Sequence, residues 1–166
     1  MGQGLSSPIV FRTFSKAAGL ASVRIGFAAG HQDVIANLFK VRTVHDINSL
    51  ALLAASLVID EPRIIEDHVR IVEAGGRLLA EEVGKLGFEP LPTHTNFILI
   101  RVGHRCSPAW LVERLSQMGY LVKGPFTSPC LADCIRVTLG PPDLMKAFVE
   151  CFARALCAWN GGPKQT

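Results

Sequence analysis

The sequence is poor in the features that mark membrane, secreted or nucleic-acid-binding proteins. No apolar run reaches the about 20 residues a bilayer-spanning helix needs; the longest, Leu50 to Ile59, is broken by Ser56. The opening residues, Met1 to Pro8, have neither the charge nor the apolar stretch of a secretory signal. The 17 lysines and arginines never stand side by side, and against 14 carboxylates they leave a net charge of only +3. Scattered cations make no electrostatic footprint for nucleic acid, so neither nucleic acid nor membrane is an expected partner. Cysteine is sparse and unpatterned. Cys106, Cys130, Cys134, Cys151 and Cys157 are odd in number and form no CxxC pair, and the histidine nearest Cys130 and Cys134, His104, lies well upstream. Free thiols in a reducing, cytoplasmic setting are expected, with no metal site.

What is present is apolar content. Hydrophobic residues make up 49% of the 166 and charged residues 19%, enough for one sizeable domain or two small ones. Disorder is expected only at the ends, including the tail from Asn160 to Thr166. Ile9 to Phe11 and Val23 to Ala29 read as strands around a small, polar segment. His31 to Lys40 reads as a short helix, and Leu50 to Val58, apolar all round, as a fully buried one. Asp46 is suited to the start of that second helix. After Asp60-Glu61-Pro62, the spacing of Ile65, Val69, Val72, Leu79, Val83 and Leu86 predicts a long amphipathic helix capped by Gly87. Strands are expected at Phe88 to Leu91, Asn96 to Ile100, Tyr120 to Lys123 and Ile135 to Leu139, with helices at Pro108 to Met118 and Pro141 to Trp159.

These elements suggest an α/β organisation in three parts. Residues 88–160 form a compact α+β unit, and residues 61–87 a connecting helix. Residues 1–60 hold too few elements to stand alone and include an apolar helix in need of a partner. They read as the end of a larger α/β domain truncated at its N-terminus.

The densest chemistry lies in Arg12-Thr13-Phe14-Ser15-Lys16-Ala17-Ala18-Gly19-Leu20-Ala21-Ser22-Val23-Arg24-Ile25-Gly26-Phe27. Thr13 and Ser15 can donate hydroxyl hydrogen bonds to a phosphate, and Arg24 offers a planar, two-pronged, permanently charged donor. A lysine beside such a site can form an imine with an aldehyde on the same ligand. Pyridoxal 5′-phosphate joins those two groups in one molecule.

The run resembles the cofactor-lysine signature of the fold-type I pyridoxal-phosphate-dependent aminotransferases, class I/II, and is most similar to the histidinol-phosphate aminotransferase branch. Ser22 stands where that signature usually has glycine. By this resemblance Lys16 bonds to pyridoxal 5′-phosphate and moves a proton between the substrate Cα and the cofactor, while Thr13, Ser15 and Arg24 hold the phosphate. Two further stretches match in order. Thr95-Asn96-Phe97-Ile98-Leu99-Ile100-Arg101 resembles the strand opening the family's small domain, which implies that Asn96 faces the substrate. Cys134-Ile135-Arg136-Val137-Thr138-Leu139-Gly140 resembles the strand whose arginine clamps the substrate carboxylate, a role that falls to Arg136. Lys123 stands where the histidinol-phosphate branch typically has a phosphate-holding arginine, and a point charge replaces a two-pronged one there.

The resemblance implies the end of a cofactor-binding large domain over residues 1–60, then the connecting helix and the small α+β domain. It also implies a homodimer and amino-group transfer between an amino acid, such as histidinol phosphate, and 2-oxoglutarate. Family members are longer, and the aspartate that keeps the pyridine nitrogen protonated precedes their lysine. Asp33, Asp46 and Asp60 all follow Lys16. The chain alone is therefore expected to be nearly inactive. Threonine-phosphate decarboxylation is an alternative within the family, and a folded, non-catalytic truncated module an alternative outside enzymology.

Overall fold

The computed structural model describes residues 8–42 and 47–159. It divides into two compact units, residues 1–68 and 69–166. Among the described residues no helix is long and apolar enough to cross a membrane. The expectations for Asp46 and for the tail from Asn160 lie outside the described residues.

In the first unit, β1 (Val10–Thr13) and β2 (Gly26–Ala29) pair antiparallel, Val10 opposite Ala29 and Thr13 opposite Gly26. The second strand is shorter than its apolar residues suggested. Ala21–Val23 form a 3-10 turn, and Arg24 adopts the left-handed conformation with φ 54°. Val23 and Leu20 pack inward from this turn instead of extending a ladder.

Two helices follow. In α1 (Gln32–Lys40) His31 takes the N-cap position. In α2 (Ser49–Asp60) Asn48 is the cap, its Oδ1 accepting the Ala51 amide at 2.9 Å. The expectation of a fully buried α2 is corrected. Ala51, Ala55 and Val58 are buried, but Leu50, Leu52, Leu53, Leu57 and Ile59 are each more than half exposed. Only the small-residue face is covered, by Phe14 and Ile25 from the hairpin.

The second unit is better closed. Helix α3 (Arg63–Lys85) carries Leu79 and Val83 into its core and ends at Gly87, φ 81°. There the Phe88 amide bonds Val83 O at 3.1 Å and the Gly87 amide bonds Gly84 O at 2.9 Å, which satisfies the last carbonyls. Gly75 is required by packing, because a Cβ at that position would overlap the carbonyl oxygen of Gly140.

A three-stranded antiparallel sheet runs in the order β3 (Glu89–Pro90), β4 (Phe97–Arg101), β5 (Cys134–Thr138). Alternation along the central pair places Ile98, Ile100, Ile135 and Val137 in the core. Helices α4 (Pro108–Gln117) and α5 (Pro142–Cys157) complete that core with Leu111, Leu115, Phe148 and Phe152. Phe88, Phe148 and Phe152 meet ring to ring, with centroids 5.2 and 5.9 Å from that of Phe152. The strand expected at Tyr120 to Lys123 is reduced to one bridge, Lys123 with Arg136. The Tyr120 amide is committed to the Leu115 carbonyl at the end of α4, at 2.9 Å, and Leu121 is 89% exposed, so pairing begins only at Lys123, while Pro125, with no amide, cannot carry it further.

Candidate functional site

The chemistry-bearing residues fall into one constellation in each unit. In the first, the β1–β2 register makes residues 14–25 the loop of a hairpin, closed by the Phe14 amide on the Ile25 carbonyl at 3.3 Å. Around this loop, side chains divide between two tasks. Phe14 and Ile25 are buried against α2, while Thr13, Lys16 and Arg24 are exposed and Ser15 is half-buried. Packing thus aims the polar set outward from one end of the ribbon.

Local hydrogen bonds refine that set. The Ser15 amide donates to Thr13 Oγ1 at 3.1 Å, and the Thr13 hydroxyl donates to Ser15 Oγ at 2.9 Å. The Ser15 hydroxyl proton is left to point elsewhere. The Gly19 amide bonds the Lys16 carbonyl at 2.9 Å and turns the chain directly after the lysine. Arg24 commits one nitrogen to Ala21 O at 2.9 Å, which leaves four of its five donor hydrogens uncommitted. Lys16 has no side-chain partner among the described residues. Residues 12–26 hold Arg12, Lys16 and Arg24 and no carboxylate, so the hairpin end is a cationic, donor-rich surface.

In the second unit, Lys123 and Arg136 exchange both backbone hydrogen bonds, at 3.1 and 2.7 Å. Residues paired in this way point to the same side of a sheet. The Arg136 guanidinium lies 5.1 Å from the centroid of the Phe97 ring. Asn96 sits at the end of the same ladder, its carbonyl accepting the Leu139 amide at 2.9 Å, and its side chain bonds neither cation. The turn before it is braced by Thr95, which takes up the Thr93 hydroxyl at 2.9 Å and the Phe97 amide at 3.3 Å.

A second arginine on this sheet behaves differently. Arg101 donates from Nε to Glu89 at 2.9 Å and from a terminal nitrogen to Asp133 at 2.7 Å. Burial opposes ionisation of Asp133, but the hydrogen bonds from Arg101 and the Cys134 thiol, with the Arg101 charge, outweigh it and hold the carboxyl below its usual value. Burial likewise pushes the Cys134 and Cys106 thiols up to about 11. All five cysteines are free.

Residues 4–152 match the family described as aminotransferase class I and II. The chain belongs to that family. It is 36% identical over 145 residues to the histidinol-phosphate aminotransferase of Roseiflexus castenholzii, a match covering 86% of the chain and 39% of that relative. Its fold superposes on the crystal structure of histidinol-phosphate aminotransferase from Sinorhizobium meliloti in complex with pyridoxal-5′-phosphate. That match has a TM-score of 0.79 at 24% identity and covers 90% of this chain and 41% of that one. It also superposes on L-threonine-O-3-phosphate decarboxylase from Porphyromonas gingivalis with a TM-score of 0.73 at 22% identity, over 89% of this chain and 46% of that one. The chain thus spans about two fifths of the length of the curated relatives it matches.

The structure gathers Thr13, Ser15, Lys16 and Arg24 on one hairpin end and pairs Lys123 with Arg136, with Asn96 farther along the ladder. Sequence reading missed the contact of Phe97 with Arg136. Its only signal was the alternation that puts Phe97, Leu99 and Arg101 on one face of β4, and without the β4–β5 register that face had no known partner.

Proposed function

We propose that this chain supplies the cofactor lysine, phosphate cradle and carboxylate clamp of a pyridoxal-5′-phosphate-dependent aminotransferase. The enzyme moves an amino group between an amino acid such as histidinol phosphate and 2-oxoglutarate. The observation that carries this reading is the hairpin register, which holds two hydroxyls, a lysine and an arginine at one end of a ribbon without a carboxylate among them. That donor set fits an anionic ligand carrying an electrophile.

When bound, the cofactor supplies an aldehyde for an amine and a conjugated ring that takes up electrons from the substrate Cα. Lys16 provides the amine, and its exposed Nζ is free to take and return a proton at that carbon. Ser15, with its donor proton uncommitted, and Arg24 hold the phosphate; Thr13 orients Ser15. Arg136 grips the substrate carboxylate through its planar fork, and Asn96 and Lys123 contact the rest of the substrate. Because Lys123 is a point charge, amino acids lacking a phosphate compete with histidinol phosphate for this site. A homodimer working in cytoplasmic amino-acid biosynthesis belongs to the same reading, as does very low activity of this chain alone.

Adding pyridoxal 5′-phosphate to the chain is the direct test. The expected result is a visible absorption band that borohydride removes, with the reduced adduct located at Lys16 by peptide mass spectrometry. Lys16→Ala should abolish the band and Arg24→Gln should weaken cofactor affinity. An adduct spread over other lysines would refute the cradle. Products formed from a panel of amino donors by a chain of the relatives' full length separate transamination from decarboxylation.

A further inference from the structure

The two arginines on the outer face of the β4–β5 pair are held in opposite ways. Arg101 is gripped in the plane of its guanidinium, where Glu89 and Asp133 take donors on two nitrogens. Arg136 stands opposite Leu99, two residues along β5 from the partner of Arg101, and no carboxylate among the described residues bonds it. Its neighbour across the other edge of β5 is Lys123, a like charge, which repels it. What holds Arg136 is the Phe97 ring, 5.1 Å from its guanidinium carbon.

A guanidinium has two faces and one edge. Carboxylates bind the edge, where the N–H groups point; aromatic rings bind a face. A carboxylate partner of the Arg101 kind would orient Arg136 while consuming the donors a substrate needs. An aromatic partner orients it and leaves the fork open.

We propose that Phe97 is a positioning residue for Arg136: its ring holds one face of the guanidinium so that the donor edge stays open for a substrate carboxylate. The inference rests on the clamp reading of Arg136 and adds the residue that presets it. Thr95 supports the arrangement by bonding both the amide and the carbonyl of Phe97, at 3.3 and 3.1 Å, which fixes the backbone from which the ring projects.

The test uses the full chain, with 2-oxoglutarate as the carboxylate probe and the Arg136 Nε–Hε resonance as a local reporter. In the wild type that proton should show an upfield ring-current displacement, lost in Phe97→Leu and kept in Phe97→Tyr. The dissociation constant for 2-oxoglutarate should rise about two- to five-fold in Phe97→Leu, the size expected of one cation–π contact, and recover in Phe97→Tyr. Arg136→Gln should remove binding. Binding lost in Arg136→Gln but unchanged in Phe97→Leu overturns the positioning role and leaves the clamp standing. A wild type that binds no 2-oxoglutarate, or an Arg136→Gln chain that binds it as well as the wild type, overturns the clamp reading itself. An undisplaced Arg136 resonance in the wild type overturns the stacking whatever the affinities, and so decides the matter if Phe97→Leu fails to fold.

Discussion

The two units are alike in their proportion of apolar residues and close them to very different degrees. Among the described residues of 69–166, sixteen buried side chains form one cluster around the β4–β5 pair, in which Phe152 meets the rings of both Phe88 and Phe148. Among the described residues of 1–68 the buried cluster has five members, two from the hairpin and three from α2. Of the large hydrophobic residues left exposed, Leu50, Leu53, Leu57, Phe11 and Phe27 all belong to the first unit. Apolar content therefore does not predict burial by itself. A helix face is buried only if another element presents a matching surface, and α2 meets one on its alanine face alone.

The largest effect should come from breaking the better-closed unit. Phe152→Ala is expected to cost about 3–5 kcal/mol, because its cavity is enclosed on all sides. Urea unfolding followed by tryptophan fluorescence measures this cost, since Trp110 and Trp159, with ring centroids 4.5 Å apart, both lie in the second unit. Far-UV circular dichroism, which sees both units, should show the wild type losing signal at lower urea than the fluorescence does. Coincident transitions would refute the contrast.

Next comes Gly75→Ala. Alanine favours a helix, yet here its methyl group overlaps the Gly140 carbonyl, so a net loss of about 1–3 kcal/mol is expected in thermal melts. A stabilised variant would mean that the approach of α3 to Gly140 is looser than described.

A smaller effect concerns acid. The Asp133 carboxyl titrates lower in the folded chain than in the unfolded one. Its contribution to stability is thus complete above the ordinary aspartate value of about 3.9 and fades as pH falls through the lower, folded value. Asp133→Asn should flatten the acid limb of stability for the second unit without altering its shape near neutrality. An unchanged acid limb would show that Arg101 does not couple to folding through Asp133.

The smallest effect is expected on α2. Leu53 is 58% exposed, so Leu53→Gln should change stability by no more than about 0.5 kcal/mol while lowering self-association in sedimentation. A large loss of stability would mean that Leu53 is covered in solution.

Much of this was legible from local sequence. The cradle lies within twelve residues, Thr13 to Arg24, so its residue types and spacing could be read together. Helix α3 announced itself by period and by Gly87 at its end. The misreadings involve features that depend on distant partners. Leu50 to Val58 reads as buried on composition, but exposure is decided by what packs beside it. Tyr120 to Lys123 reads as a strand, yet the end of α4 takes the Tyr120 amide, and pairing is left to the single bridge at Lys123. The Phe97–Arg136 contact required the β4–β5 register, which sequence spacing across 39 positions does not give.

The hairpin has one more consequence, for how this region can change over evolution. Because the exposed Thr13 is followed directly by the buried Phe14, inserting or deleting a single residue in β1 would turn Phe14 to the opposite side of the ribbon. Phe14 would face solvent, and the hydroxyl of Thr13 or Ser15 would be driven against Ala51 and Ala55. Length changes in this stretch are therefore forbidden in odd numbers, a parity constraint that the polar turn from Pro92 to Thr95 does not share.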